Sequence, residues 1–353
     1  MIEGCKMLNF LNDYSVLCHE SVFLKLNEYK EEMNKAYGLD YHSERAKSLI
    51  LDSCSSNESE YEIFFFNGGT QVNACAINSL LRHSEAVIAA DSGHIANLEA
   101  GAIEQTGHKV ELIKGREGKI VSADLEEFMK VRTNSEAAMH MVNPTLLYIS
   151  QSTEYGTVYT EKELLELRAV CDRYDLKMYI DGARMASATM AVGAATLDII
   201  AEVADAFTIG GTKAGAISGE ALVIKKEALY KNFRSMQKQL GALAAKSYFY
   251  GLQFEALFED GLYWRIGKKM NEQAKMIADG LLSLNYSLYA ETVSNQVFVR
   301  LNENEVEKLK KDVIFEIHDD FGPNDKIVRL CTSFASTDED CKSLLEIFSL
   351  MRA

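Results

Sequence analysis

Apolar and polar positions run along this chain in two rhythms. Tyr61–Phe66, Ala86–Ala90, Lys109–Ile113, Leu146–Ser150, Lys177–Ile180 and Ala206–Ile209 are short, apolar-rich runs and predict strands. Between them, Gln71–Leu81, Asn97–Thr106, Glu161–Tyr174 and Leu197–Val203 read as helices. Glu161–Tyr174 shows the helical spacing in Leu164, Leu165, Leu167, Val170 and Cys171, with acidic residues in its first turn. Strands that are apolar throughout and alternate with helices predict an α/β fold. Its sheet is mostly parallel and covered on both faces.

The rhythm changes after about residue 225. A long helical stretch, roughly Tyr230–Leu284, carries Gly at 241, 251, 261, 267 and 280. Gln296–Leu301, Val313–Ile317 and Ile327–Cys331 then read as strands, and Val306–Lys311 and Asp338–Met351 as helices. Ahead of the sheet, residues 1–45 read as an arm with a helix near Glu20–Ala36, and a more regular alternation begins at 46–52. The expected organisation is an N-terminal arm (1–45), a large domain (46–240) and a smaller α+β domain (241–353). A chain of 353 residues is long for a single hydrophobic core.

Charge narrows the range of partners. Lys and Arg number 37 against 52 Asp and Glu, a formal charge of −15, and no basic stripe offers a footing for nucleic acid or an anionic membrane surface. No apolar run approaches the ~20 residues that span a bilayer. Met1–Phe10 contains Glu3, has no apolar core, and is not expected to act as a signal peptide. The seven cysteines (5, 18, 54, 75, 171, 331 and 341) are scattered without a CxxC pair. That pattern argues against a disulfide framework or a zinc site and makes a reducing cytoplasm the expected location. The two prolines, Pro144 and Pro323, exclude Pro-rich linkers. The histidines show no HExxH or paired spacing, so no catalytic metal is expected.

Ligands of open parallel sheets bind just outside the carboxyl ends of the strands, and four segments carry chemistry there. Gly68-Gly69-Thr70-Gln71 stands at a strand-to-helix junction. It is either an anion-binding helix N-terminus or an ordinary turn capped by Thr70. Asp181-Gly182-Ala183-Arg184 ends an apolar strand. Its Asp is suited to a protonated ring nitrogen and its Arg to a carboxylate, or the two form a structural pair. Thr212-Lys213 follows another strand end. Lys213 is a candidate Schiff-base amine, or a surface lysine in a Gly-rich loop. One crossover unit separates Asp181 from Lys213, so their strands can lie side by side. His94, after a further strand, can stack on a planar ligand or face solvent. Together these residues make a site for pyridoxal 5'-phosphate.

These residues resemble the threonine aldolase / β-eliminating lyase family of fold-type I pyridoxal phosphate enzymes. The likeness runs over nearly the whole chain. It includes Asn12-Asp13, Tyr37-Gly38, Gly69-Thr70-Gln71-x-Asn73, His94-x4-Glu99-Ala-Gly, Asp181-Gly-Ala-Arg184, Lys213 and Val328-Arg329-Leu330. The resemblance implies a seven-stranded, mostly parallel cofactor domain with a small C-terminal domain. It implies homodimers or homotetramers with active sites at subunit interfaces. Lys213 would carry the cofactor with Thr212 beside it, and Asp181 would pair with the ring nitrogen. His94 and Ala183 would cover the two ring faces. Gly69, Thr70 and Gln71 would hold the phosphate. Arg184 and Arg329 would bind the substrate carboxylate, with Asn12 where relatives often carry Ser. The implied reaction cleaves Cα–Cβ of threonine, allo-threonine or a related 3-hydroxy amino acid to glycine and an aldehyde.

Two departures bear on that reaction. Many relatives place a His in the loop after the strand ending near Ser150, where this chain has Glu154, a carboxylate able to act as base. An Arg that relatives contribute to the phosphate is unmatched, with Lys246 the nearby candidate. β-Elimination on another amino acid therefore stays as an alternative reading, as does a non-catalytic protein of the same fold.

Overall fold

The computed structural model describes residues 7–54, 59–322 and 324–352. Cys5, Pro323 and the first six residues of the Met1–Phe10 segment lie outside these.

In chain order the arm holds a two-residue strand β1 (Leu8–Asn9), then α1 (Glu20–Glu28) and α2 (Tyr41–Ser53). The helix expected over Glu20–Ala36 ends at Glu28, and its only buried residue is Val22. β2 (Tyr61–Phe66) leads into α3 (Gly69–Leu80), and β3 (Glu85–Ala90) into two single-turn helices, α4 (His94–Asn97) and α5 (Ala102–Gln105). A continuous helix was expected over Asn97–Thr106. The chain breaks there because Ala100 takes a left-handed φ of 52°. β4 (Lys109–Ile113), α6 (Ser122–Thr133), β5 (Asn143–Ser150), α7 (Glu161–Arg173) and β6 (Lys177–Asp181) follow. Helix α6 carries little periodicity because only Leu125 and Met129 are buried on it. Next come α8 (Met185–Thr189), α9 (Leu197–Val203), β7 (Ala206–Gly210) and β8 (Glu220–Lys225).

The long helical stretch resolves into three helices, α10 (Phe233–Gln239), α11 (Tyr248–Phe258) and α12 (Leu262–Ser283). Gly261, with φ of 66°, makes the turn between the last two. Gly267, by contrast, sits inside α12. A Cβ there would stand 2.0 Å from Ala186 O, so its lack of a side chain lets α12 lie against α8. The remainder is β9 (Ser287–Leu288), β10 (Gln296–Asn302), α13 (Glu303–Leu309), β11 (Val313–Ile314), β12 (Glu316–Phe321), β13 (Asp325–Cys331) and α14 (Asp338–Arg352). The single strand expected over Val313–Ile317 is divided because it changes partner. β11 pairs with β1 of the arm, and β12 pairs with β13.

Seven strands form the main sheet in the order β2-β8-β7-β6-β5-β3-β4. The pairs among β3 to β7 are parallel, and β8 alone runs antiparallel, between β2 and β7. Alternate residues of β2 divide between two cores. Ile63 and Phe65 join one cluster, and Phe64 and Phe66 the other. A strand covered on both faces gains from apolar residues at every position, which is why no alternation marks it. Residues of α11 and the start of α12 belong to the first cluster. The small sheet, β12-β13-β10-β9, is antiparallel and packs with α12 and α14 on a third cluster. No helix among the described residues is long and apolar enough to cross a membrane.

Candidate active site

The carboxyl ends of β2, β3, β5, β6 and β7 open on one cavity of about 420 Å³. Its lining includes Gly69, Thr70, His94, Glu154, Asp181 and Lys213, drawn from five separate strand ends. Ala183, Arg184 and Thr212 line it as well. The pairing of β6 with β7 is parallel, as the spacing of Asp181 and Lys213 allowed.

Asp181, last in β6, has its carboxylate held from three directions. Oδ2 accepts from Asn73 Nδ2 at 2.9 Å and from the Tyr148 hydroxyl at 2.7 Å, and Oδ1 accepts from Ala183 N at 2.9 Å. Burial keeps the Tyr148 phenol well above its ordinary pKa, so it stays a neutral donor. Asn73 is fully buried and gives its second N–H to Glu99 Oε1 at 2.8 Å. The Asn73 carbonyl oxygen takes the Tyr179 hydroxyl at 2.7 Å. A neutral amide thus stands between two buried carboxylates and donates to each. Glu99 Oε1 also meets His94 Nδ1 at 2.8 Å, which orients the imidazole at the cavity.

Helix α3 begins at Gly69, so Thr70 lies inside the first turn and does not cap the helix as expected. Gly68 is the N-cap and offers no side-chain bond. The first intrahelical bond runs from Val72 N to Gly68 O, which leaves the N–H groups of Gly69, Thr70 and Gln71 as the free donors of the first turn. The Gln71 side chain turns from the cavity, accepting from Asn67 N and donating to Gly241 O.

Glu154 Oε1 accepts from His94 N at 2.9 Å and from Ser150 Oγ at 2.7 Å. Burial raises its pKa above the ordinary carboxylate value, against the pull of the Ser150 hydrogen bond and His94. Lys213 is half-buried, and its pKa is lowered by burial and by the Arg184 guanidinium. Arg184 grips the fully buried Asp13 of the arm with Nε at 2.8 Å and Nη2 at 3.2 Å. Burial drives the Asp13 carboxyl up, but Arg184, Lys213 and a bond from Asn295 more than reverse this and hold it below its ordinary value.

Besides Gln71, three expected residues stand apart from the cavity wall. Arg329, on β13, is buried and engaged with Glu316 Oε2 and Gln296 Oε1. Asn12 Oδ1 accepts from Tyr14 N and from the Ser15 hydroxyl, a local turn of the arm. Lys246 is exposed and is not part of the lining. Tyr14, rather than Asn12, is the arm residue that reaches the cavity. Asn73, Glu99, Tyr148, Tyr179, Asp13 and Glu220 received no role in the sequence reading. Asn73, Glu99 and Asp13 did lie inside the motifs that carried the resemblance. Nothing local marks Tyr148 or Tyr179 apart from other tyrosines in apolar strands.

An open, mostly parallel sheet with a lysine and a buried aspartate at adjacent strand ends is an α/β fold of the aminotransferase-like architecture. Aspartate aminotransferase from Thermus thermophilus superposes with a TM-score of 0.70 over 99% of this chain and 92% of its own, at 14% identity. The beta-eliminating lyase family model matches residues 33–312, and the chain belongs to that family. It is similar to a low specificity L-threonine aldolase of Pseudomonas aeruginosa, 28% identical over 303 residues and 85% of each chain. A threonine aldolase structure from Leishmania major superposes with a TM-score of 0.93 at 38% identity, over 98% of this chain and 99% of that one.

Proposed function

We propose that this protein is a pyridoxal 5'-phosphate-dependent aldolase that cleaves Cα–Cβ of threonine, allo-threonine or related 3-hydroxy amino acids. Membership of the family and the likeness to threonine aldolases support the reaction. The single observation that carries the cofactor is Asp181, an acceptor held by three donors in the cavity that Lys213 also lines.

The residues fit the group. A Cβ on Gly68 or Gly69 would meet nothing within 4 Å, so an anion has room against the free N–H groups of α3. In this reading Lys213 carries the cofactor and Thr212 flanks it. Asp181 keeps the ring-nitrogen proton, and His94 and Ala183 cover the ring faces. Gly69, Thr70 and the Gln71 backbone hold the phosphate. When bound, the cofactor supplies an electron sink for the pair released at Cα.

The chain's own groups do the rest. Arg184, fixed by Asp13, turns its remaining N–H donors to the substrate carboxylate, and Arg329 is engaged by Glu316. Glu154 removes the proton of the substrate's 3-hydroxyl. Its raised pKa makes it a stronger base than an exposed carboxylate once ionised. The exposed apolar side chains of the arm, Tyr14, Leu17, Phe23 and Leu24, support a homodimer or homotetramer with this cavity near the interface. The cytoplasmic location expected from the cysteines belongs to the same proposal.

The test incubates the purified chain with pyridoxal phosphate and L-threonine, L-allo-threonine and phenylserine in turn. Glycine with the matching aldehyde is expected, and Lys213→Ala abolishes it. Pyruvate and ammonia from serine or cysteine, with no glycine from any of the three, would refute the aldolase reading. That result favours β-elimination, the activity the family description names.

A further inference from the structure

Tyr155 follows Glu154 directly and does not line the cavity. Its side chain packs against the small sheet. The ring centroids of Tyr289, Phe298 and His318 stand 5.5, 6.1 and 5.1 Å from its own, with His318 edge-on. Phe298 and His318 meet each other at 5.0 Å, which closes the cluster. A bulge places His318 there. The β12–β13 ladder pairs Ile317 with Val328 and then Asp319 with Ile327, so it skips His318, and a bulge re-aims the side chain it frees. Gly156 brings the loop closer still. A Cβ there would stand 3.0 Å from Ser294 Oγ and 3.3 Å from Phe298 Cε2.

The loop that carries both residues is tied to itself. Thr153 N donates to Thr157 O and Gly156 N to Thr153 O, each at 2.9 Å, and the two threonine hydroxyls meet at 2.7 Å. The Thr157 hydroxyl lies 2.8 Å from Glu117 O, an acceptor in the preceding loop. A turn closed in this way moves as a unit, so the seat of Tyr155 sets where Glu154 stands. Glu154 has two ties of its own, from His94 N and the Ser150 hydroxyl, and both fall on Oε1. The titratable groups around that carboxylate are His94 on α4, Asp181 on β6 and the phenols of Tyr148, Tyr155 and Tyr159.

We propose that Tyr155 is a positioning residue whose ring, seated against the small sheet, holds Glu154 in place for its proton transfer. The inference rests on the reading of Glu154 as the base. The seat is itself tied to β13. His318 Nδ1 stands 3.7 Å from Glu316 Oε1, and Glu316 Oε2 accepts from Arg329. Burial raises the Glu154 pKa, and a loosened loop lets water reach the carboxylate and lowers it again.

The first readout needs neither cofactor nor turnover. The full chain is prepared with isotope-labelled histidine, and hydrogen exchange of the His94 amide, whose acceptor is Glu154 Oε1, is followed by NMR. In Tyr155→Ala this amide is expected to exchange about tenfold faster than in the wild type, while Tyr155→Phe, which keeps the ring, matches the wild type. Unchanged His94 exchange in Tyr155→Ala overturns the proposal, and so does an equal loss of protection in Tyr155→Phe. If Tyr155→Ala speeds every histidine amide, its fold is lost and His318→Ala decides from the other side of the contact. Faster exchange at His94 in that variant supports the proposal, and unchanged exchange overturns it. The second readout is turnover of L-threonine with pyridoxal phosphate added. Tyr155→Ala is expected to lower kcat about tenfold with KM within about twofold of wild type. Its acid limb should move down by about one pH unit, toward the ordinary carboxylate value. Where Glu154→Gln has shown that limb to belong to Glu154, a limb unmoved in Tyr155→Ala overturns the positioning role. Failure to form glycine, or a limb retained in Glu154→Gln, sinks the reading of Glu154 as base and leaves the exchange measurement readable, so the two ideas fail separately.

Discussion

Asn73→Ala tests the link between the site's architecture and its stability. The side chain is fully buried and makes three hydrogen bonds, at 2.8 Å to Glu99, 2.9 Å to Asp181 and 2.7 Å from Tyr179. Bonds to charged groups contribute about 1.5–3 kcal/mol each and a neutral one about 1 kcal/mol. Asn73 also borders the cavity, so water enters and replaces part of what is lost. The expected loss is about 3 kcal/mol in urea unfolding of the chain without cofactor. Tyr179→Phe alone should lose about 1 kcal/mol, and nothing further when added to Asn73→Ala, since its partner has gone. Asn73→Asp places a third carboxylate between Glu99 and Asp181, and that new group's pKa is raised in the folded state. The cost of that substitution is therefore absent at acid pH below the ordinary Asp value and grows as pH rises. An Asn73→Ala protein within about 0.5 kcal/mol of wild type, or additive losses in the double variant, would refute the idea that Asn73 separates and satisfies two buried carboxyl groups.

Three further outcomes are expected. Gly267→Ala forces a Cβ to within 2.0 Å of Ala186 O, and thermal unfolding should show a loss of at least about 2 kcal/mol; an unchanged Tm contradicts the close approach of α12 to α8. Glu154→Gln keeps an oxygen to accept from His94 N and the Ser150 hydroxyl, so stability holds while kcat falls about 100-fold. The rise of wild-type activity with pH through the raised Glu154 pKa disappears in that variant, and a retained limb assigns the base elsewhere. Arg184→Ala leaves Asp13 buried without its guanidinium, at a cost of about 3 kcal/mol, and raises KM for the amino acid. Because the folded Asp13 pKa is lowered, its contribution is present above the ordinary Asp value and lost as pH falls through the folded one. Arg184→Ala should therefore unfold at higher pH on acid titration, and an unshifted acid transition denies the pair its role.

The strand ends were legible because their signals are local. An apolar run closing on Asp-Gly-Ala-Arg or Gly-Gly-Thr-Lys announces itself within a few residues, and parallel order then follows from one crossover between Asp181 and Lys213. Boundaries fared worse wherever a neighbour decided them. Gly261 and Gly267 look alike in sequence, yet one turns the chain and the other admits a helix. Strand β8 escaped notice although Glu220–Lys225 is buried almost throughout, because an antiparallel strand after a short loop breaks the expected alternation.

By itself, the sequence determined the α/β alternation, the placing of Asp181, Lys213, His94 and Gly69 at strand ends, and an acidic background against which anions need local donors. Tertiary structure alone decided which groups complete the site. Asn73 reaches Asp181 across 108 positions, and Arg184 reaches Asp13 across 171. Arg329 is held by Glu316 outside the cavity lining, and Glu220 arrives on a reversed strand. Periodicity encodes which face of an element is buried, and capping and turn residues encode where it ends. The order β2-β8-β7-β6-β5-β3-β4 comes from packing whole elements, and only that order brings distant carboxylates, amides and phenols within hydrogen-bond reach.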